Sequence, residues 1–201
     1  VDIGIQGLSG AAERQADIIY CCYDNEAYMN TGTQRSGSTP FGAKTTTTPI
    51  LGKQQIKKNM PKILAAHDIP YVATCSAGYP QDIYLKFLKA KEMKGQGLRY
   101  IHILSPCPPG RQHKTEESIE IGKLAVETGF WPLFERINGK LILSPQSVRL
   151  LDKTKRKNIR EYLPKQGRFK HFKEADFKVW ENYIDGLWKS IELELKMQEA
   201  S

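Results

Sequence analysis

Apolar residues in the first 130 positions fall into short runs separated by stretches of helical spacing. Leu8 to Ala16, rich in small residues, predicts a helix. Ile18 to Tyr23 is an apolar run of strand type, stopped by the turn pair Asp24-Asn25. Gly32 to Gly52 has no apolar periodicity and is rich in Thr, Ser, Gly and Pro; so long a loop in a compact domain is functional or disordered. Lys53 to His67 predicts a helix with Ile56, Met60, Ile63 and Leu64 on one face. Tyr71 to Cys75 reads as the second strand, Pro80 to Lys94 as a helix with Ile83, Phe87 and Leu88 inward, Arg99 to Leu104 as the third strand, and Glu116 to Thr128 as a helix. This rhythm predicts an α/β domain with a mainly parallel sheet flanked by helices. Ligands of such sheets bind beyond the carboxyl ends of the strands, which here points to Asp24 to Thr31, Cys75 to Gly78 and Ser105 to Gly110.

After Phe130 the pattern changes. Two alternating runs, Trp131 to Ile137 and Lys140 to Leu143, flank Asn138-Gly139, the signature of a hairpin with a type I′ turn. Asp176 to Gln198 predicts a long terminal helix. The expected division is residues 1–150 as the binding domain, and 151–201 as a basic segment plus terminal helix packed on the same domain.

Composition narrows the function. The chain has 201 residues and a net charge of +8. The excess is concentrated between Asp152 and Lys178, with ten Lys or Arg against four Asp or Glu; it reads first as a solvated face, second as a docking surface for an acidic carrier or partner subunit. Aromatic residues do not interleave with these cations as a nucleic-acid stacking surface requires, so no nucleic-acid partner is expected. No apolar run approaches the roughly 18–20 residues of a membrane span, and no secretory signal opens the chain. Without an initiator Met, Val1 is expected to follow a preceding segment. Cys21, Cys22, Cys75 and Cys107 form no C-x-x-C pair, and the pattern fits a reducing cytoplasm. Cys21, Cys22 and Cys75 read as core residues, as does His102.

Candidate chemistry lies in Asp24-Asn25-Glu26-Ala27-Tyr28-Met29-Asn30-Thr31-Gly32. Mg²⁺ takes a near-octahedral shell of oxygens, and the Asn25 side chain with the Ala27 carbonyl can supply two neighbouring vertices. Asn30 and Thr31 can hydrogen-bond a diphosphate or a substrate. Spacing alone leaves a polar turn with Asx-capping residues as the competing reading.

Asp2-Ile3-Gly4-Ile5-Gln6-Gly7-Leu8, the block Cys22 to Gly32, and Gln34-Arg35-Ser36-Gly37-Ser38-Thr39-Pro40-Phe41-Gly42 with the following Thr run resemble the thiamine-diphosphate-binding β subunits of pyruvate and other 2-oxoacid:ferredoxin oxidoreductases. The resemblance covers roughly residues 1–150, and implies that the chain is the C-terminal two-thirds or so of such a subunit. It assigns Asp2, Ile3, Gly4, Asn25, Ala27, Tyr28, Asn30 and Thr31 to the cofactor, with Asn25 and Ala27 on Mg²⁺ and Asn30 and Thr31 beside the reacting 2-oxoacid. A Gly-Asp-Gly carrying a further Mg²⁺ ligand is implied a few residues before Val1. Cys107 stands where the family places the fourth thiolate of a [4Fe–4S] cluster, its other three cysteines being expected outside this chain. The implied reaction is oxidative decarboxylation of pyruvate, or its reverse, with coenzyme A as acyl acceptor and ferredoxin as electron acceptor, in a complex with other subunits. The alternatives are a branched-chain 2-oxoacid substrate, or a non-redox thiamine decarboxylase or carboligase; Cys107 and the lack of a flavin or nucleotide signature argue against the latter.

Overall fold

The computed structural model describes residues 2–200. Helix α1 (Ile5–Glu13) leads into strand β1 (Ile19–Asp24); the long loop and the short helix α2 (Met60–Ala65) lead to β2 (Tyr71–Ser76), and α3 (Pro80–Glu92) to β3 (Arg99–Leu104). A four-residue helix α4 (Pro108–Arg111) and helix α5 (Ser118–Glu127) precede the hairpin β4 (Phe134–Ile137) and β5 (Lys140–Leu143). A short α6 (Pro145–Val148), a run of 3₁₀ turns and the 26-residue α7 (Glu174–Glu199) complete the chain. The sheet runs β1-β3-β2-β4-β5. Its first three strands are parallel, as expected, and β4 and β5 extend it antiparallel.

Every residue of β2 and β3 is buried, because alternate side chains enter different layers. Val72 and Tyr100 pack with Cys22 against α1 and α2. Tyr71, Ala73, Cys75, Ile101 and Ile103 pack on the α3 side. Register aligns the carboxyl ends: Asp24 pairs with Leu104 and Leu104 with Ser76, so three loops leave one edge of the sheet together.

The hairpin forms as its turn pair predicts, with Asn138 at φ 48° and Gly139 at φ 83°. Helix α7 buries a stripe at helical spacing, Trp180, Ile184, Trp188 and Ile191. Each such side chain contributes about 1.5–3 kcal/mol on burial, which fixes α7 against Phe130, Leu133 and Leu141. No helix among the described residues is long and apolar enough to cross a membrane.

Two expectations need correction. Lys53 to Asn59 is not helical: only Met60–Ala65 is, because the ammonium groups of Lys53 and Lys57 are drawn inward to oxygens of the preceding loop and Asn59 caps the helix that follows. Leu88 turns outward, and α3 instead buries Asp82 and Lys86 as an ion pair at 2.7 Å, with Lys86 also donating to the Thr74 carbonyl. The basic stretch from Asp152 keeps Lys153, Lys155, Lys157, Lys165, Lys170, Lys173 and Lys178 exposed, as expected of a solvated face, whereas Arg168 is buried. It packs through Ile159, Tyr162, Leu163 and Phe169, and most of its cations have partners: Lys153 and Arg156 on Asp185, Lys157 on Glu127, Arg160 on Glu174 and Glu181, and Lys165 on Glu120.

Candidate functional site

Strand β1 ends on Asp24, and the chain then turns sharply. The Asp24 carboxylate accepts the backbone N–H of Glu26 at 2.9 Å, and Glu26 takes a left-handed φ of 71°, unusual for a side-chain-bearing residue. That conformation is held from several sides. The Glu26 carbonyl accepts from the Thr39 hydroxyl at 2.7 Å. The Glu26 carboxylate, wholly buried, meets Lys57 at 2.9 Å, Arg111 at 3.1 Å and Arg168 at 2.5 Å. Burial pushes this carboxyl up, but Arg111, Lys57 and Arg168 more than offset it and bring it down to about 2.

Asp24 is equally enclosed. It accepts from Ser38 at 2.5 Å, from Lys57 at 3.1 Å and from the His102 ring at 2.9 Å. Burial raises its carboxyl too, but Lys57, His102 and Ser38 hold it well below the usual carboxylate range. With Asp24 ionised, Nε2 of His102 donates to it, and Nδ1 accepts the Tyr100 hydroxyl at 2.9 Å. His102 is thus a satisfied buried histidine. Lys57 lies 4.5 Å from the centre of the Trp131 ring, which seals the pair from one side.

This arrangement clamps even-numbered Asp24 and Glu26 inward and leaves odd-numbered Asn25 and Ala27 facing no partner. Among the described residues, neither the Asn25 side chain nor the Ala27 carbonyl makes a hydrogen bond, although both residues are half-buried. Two unengaged oxygens, flanking a residue whose own groups are all engaged, fit a Mg²⁺ ion that takes its remaining oxygens from diphosphate and water.

The other residues singled out from the sequence are close by in the chain but not all alike. Tyr28 pairs with Gln34 across a tight turn carrying Asn30 and Thr31. Asn30 is exposed at the turn without a hydrogen-bond partner among the described residues, whereas the Thr31 hydroxyl donates to Gln34 at 2.5 Å. Asp2 ties the start of the chain to this region, accepting from Tyr28 at 3.2 Å, the Gly37 N–H at 2.5 Å and Lys58 at 2.6 Å. Its carboxyl, raised by burial but lowered more by Lys58 and Gly37, sits at about 2. Ile3 is exposed, and Gly4 caps α1 with no neighbour around it.

Cys107, half-buried, precedes α4, and its carbonyl accepts the Arg111 N–H at 2.9 Å. Cys75 is a core residue whose thiol burial pushes up to about 12; Cys21 and Cys22 lie within β1. Among the described residues no three His, Cys, Asp or Glu side chains come together to hold a metal, so Cys107 offers a cluster one thiolate only. The loop from Cys75 to Gly78 is closed rather than open to a ligand: Ser76 donates to the Gly122 carbonyl at 2.8 Å, and a Cβ on Gly78 would stand 2.6 Å from the Lys123 backbone nitrogen in α5.

Residues 1–103 match the family described as thiamine pyrophosphate enzyme, C-terminal TPP binding domain. The chain belongs to that family. It is 47% identical to pyruvate synthase subunit PorB of Methanothermobacter thermautotrophicus, over 96% of this chain and 65% of that protein. Identity to PorB of Methanocaldococcus jannaschii is 49%, over 92% of this chain and 60% of the relative. Identity to ketoisovalerate oxidoreductase subunit VorB of Pyrococcus horikoshii is 44%, over 94% and 60%. The chain therefore spans 60–65% of the length of these relatives.

Sequence reasoning missed Asp24, Glu26, Lys57, Arg111 and Arg168. One signal was present. Cys22, Asp24 and Glu26 continue the two-residue alternation of β1, so the inward face of a buried strand runs directly into two carboxylates.

Proposed function

We propose that this chain is the thiamine-diphosphate-binding part of the β subunit of a pyruvate:ferredoxin oxidoreductase of the pyruvate synthase type. The assembled enzyme oxidatively decarboxylates pyruvate, or runs the reverse, with coenzyme A and ferredoxin. The observation that carries the reading is the pair of unengaged oxygens on Asn25 and Ala27, fixed on either side of the clamped Glu26.

In this reading Asn25 and Ala27 hold Mg²⁺ against the diphosphate of the cofactor. Thiamine diphosphate, when bound, supplies the carbanion chemistry that lets CO₂ leave a 2-oxoacid. Asn30 and Thr31 present polar groups to the diphosphate and the substrate, with Gln34 orienting Thr31. Tyr28 and Asp2, joined by their hydrogen bond, brace the loop from its other side, and Ile3 and Gly4 lie next to Asp2 in the segment that approaches the cofactor. Cys107 gives one thiolate to a [4Fe–4S] cluster whose other ligands come from outside this chain. The partners are the remaining subunits of the oxidoreductase and ferredoxin, and the compartment is the cytoplasm. Residues 1–150 act as the cofactor domain, and 151–201 extend the same unit.

A branched-chain 2-oxoacid is the second substrate reading, favoured by the 44% identity to the ketoisovalerate enzyme subunit. Turnover of the assembled enzyme with pyruvate and with 2-oxoisovalerate separates the two. A higher kcat/KM for pyruvate is expected; a preference for 2-oxoisovalerate would transfer the assignment to the branched-chain class. Turnover independent of thiamine diphosphate would remove both.

A further inference from the structure

We propose that the cleft between α2 and α7 is a binding site for a small aromatic carboxylate, an arene that carries its acid on a short alkyl arm. The cleft adjoins the clamp of Asp24 and Glu26 but contains none of the residues assigned above to thiamine diphosphate, Mg²⁺ or the 2-oxoacid. The site therefore stands without the proposed function.

Helix α7 turns Tyr183, Leu187, Ser190, Ile191 and Glu194 toward α2 and the β4–β5 hairpin, positions whose spacing puts them on one helix face. Between these elements lies a cavity of about 180 Å³. Its inner wall is buried and largely apolar, built from Phe130, Trp131, Pro132 and Leu141. The polar members of that wall are already satisfied. The Thr74 hydroxyl donates to the Pro132 carbonyl at 2.7 Å and accepts the Phe134 N–H at 3.0 Å. Both ring nitrogens of His102 are engaged, and Lys57 is spent on Asp24 and Glu26. Water finds few open partners on such a wall, whereas an apolar cavity of about 150 Å³ stays dry and takes up a benzene ring.

The rim has the opposite character, and its open groups are donors. Lys62 is exposed, and its ammonium has no partner among the described residues. The Tyr183 hydroxyl also makes no hydrogen bond among the described residues. Burial pushes that hydroxyl up and Lys57 only partly offsets it, so Tyr183 stays protonated and able to donate. Lys58 adds a second rim ammonium, shared with Asp2. The one carboxylate that lines the cleft, Glu194, is held by both arms of Arg136, one of them at 2.7 Å. An aromatic slot topped by an unpaired ammonium and an unpaired phenol complements a ring with a carboxylate, which accepts and does not donate.

The probe is hydrocinnamate, titrated calorimetrically into the assembled enzyme, with hydrocinnamide as its neutral counterpart. Coenzyme A and ferredoxin are left out. Saturable binding of hydrocinnamate at one site per chain is expected, with a Kd below about 1 mM, within reach of a ligand this small. The amide should bind about tenfold more weakly, the loss of a charge-assisted hydrogen bond. Tyr183→Phe and Lys62→Gln remove groups that hold no other residue, so each should weaken hydrocinnamate by roughly 3–10-fold and leave the melting temperature of the unliganded enzyme unchanged. Leu187→Trp, which fills the cleft, should abolish binding; if it fails to fold, the two donor variants decide the matter. Saturating pyruvate should leave the affinity for hydrocinnamate as it was. No binding to the assembled enzyme would show that another part of the enzyme closes the cleft, and overturns the proposal. So does an amide that binds as well as the acid, or an affinity unmoved in both Tyr183→Phe and Lys62→Gln. Displacement by pyruvate would place the probe at the substrate's own site, which overturns this proposal and leaves the functional reading intact.

Discussion

Lys57 stands 2.9 Å from Glu26, and the same ammonium lies 3.1 Å from Asp24, so one cation serves two buried carboxylates two residues apart. Lys57→Met keeps the volume and removes the shared charge. Glu26 retains Arg111 and Arg168, whereas Asp24 is left with Ser38 and His102. Breaking a buried pair from one side is expected to destabilise the fold by about 3–5 kcal/mol. Adding Asp24→Asn to Lys57→Met should recover part of that loss, because the orphaned carboxylate is then gone. Denaturant unfolding of the three variants checks this; a loss below about 1 kcal/mol, the level of an exposed pair, would show that water reaches the cluster.

Much of the fold was legible because its elements are local. Ile18 to Tyr23, Tyr71 to Cys75 and Arg99 to Leu104 are apolar runs, and all three are parallel strands within a residue or so at each end. Asn138-Gly139 specified its own hairpin. What failed was the helix over Lys53 to Asn59, where helical spacing competed with two lysines drawn inward by oxygens far away in sequence. The loop from Asp24 to Gly32 was recognisable by its residues, but its clamp was not. Arg168 lies 142 positions from Glu26, and no local pattern marks which of ten cations in a basic stretch will be buried. The alternation Cys22, Asp24, Glu26 was the readable clue, since a carboxylate on the inward face of a buried strand demands a partner.

Asn25→Leu tests the metal assignment without touching the clamp. The Asn25 side chain holds no other residue in place, so its loss should leave the fold within about 0.5 kcal/mol of wild type, as for substitutions away from core features. Affinity for Mg²⁺ and thiamine diphosphate, titrated calorimetrically in the assembled enzyme, should fall sharply. Unchanged affinity would remove Asn25 from the metal shell. Asn30→Ala is expected to lower turnover while leaving folding largely intact, since a polar loop residue contributes little to core burial.

Cys107 and Cys21 should part company. Cys107→Ala is expected to lower the iron content of the assembled enzyme and abolish ferredoxin reduction, because a four-thiolate shell loses one member. Full iron occupancy would rule out ligation. Cys21→Ala lies within β1, and should cost about 1–2 kcal/mol as a small cavity with iron retained.

Lys53 gives the loop a dependence on alkaline pH. Only 2% of the residue is exposed, and its ammonium donates to the carbonyls of Gly37 at 2.9 Å and Thr39 at 2.7 Å, closing the long loop on its own first half. Burial, with Arg35 and Lys57 nearby and only partly offset by Asp2 and Glu26, brings Lys53 down from its ordinary 10.5 to about 8. Below pH 8 both the folded and the unfolded chain carry the proton, and the folded state bears the full burden of a buried charge. Between pH 8 and 10.5 the unfolded chain keeps a proton that the folded chain has released, so the folded state gains stability as pH rises. The neutral amine still has two hydrogens for its two carbonyl acceptors, so deprotonation does not undo the loop. Relative to Lys53→Met, which cannot titrate, wild type should gain on the order of 2–3 kcal/mol across that window, at about 1.4 kcal/mol per pKa unit. Unfolding curves for the two proteins at pH 7.5, 9 and 10.5 (values chosen roughly to bracket the titration) measure the difference directly. A gap that stays constant with pH would mean that Lys53 keeps its ordinary proton affinity and that the loop is far more open to water than its packing indicates.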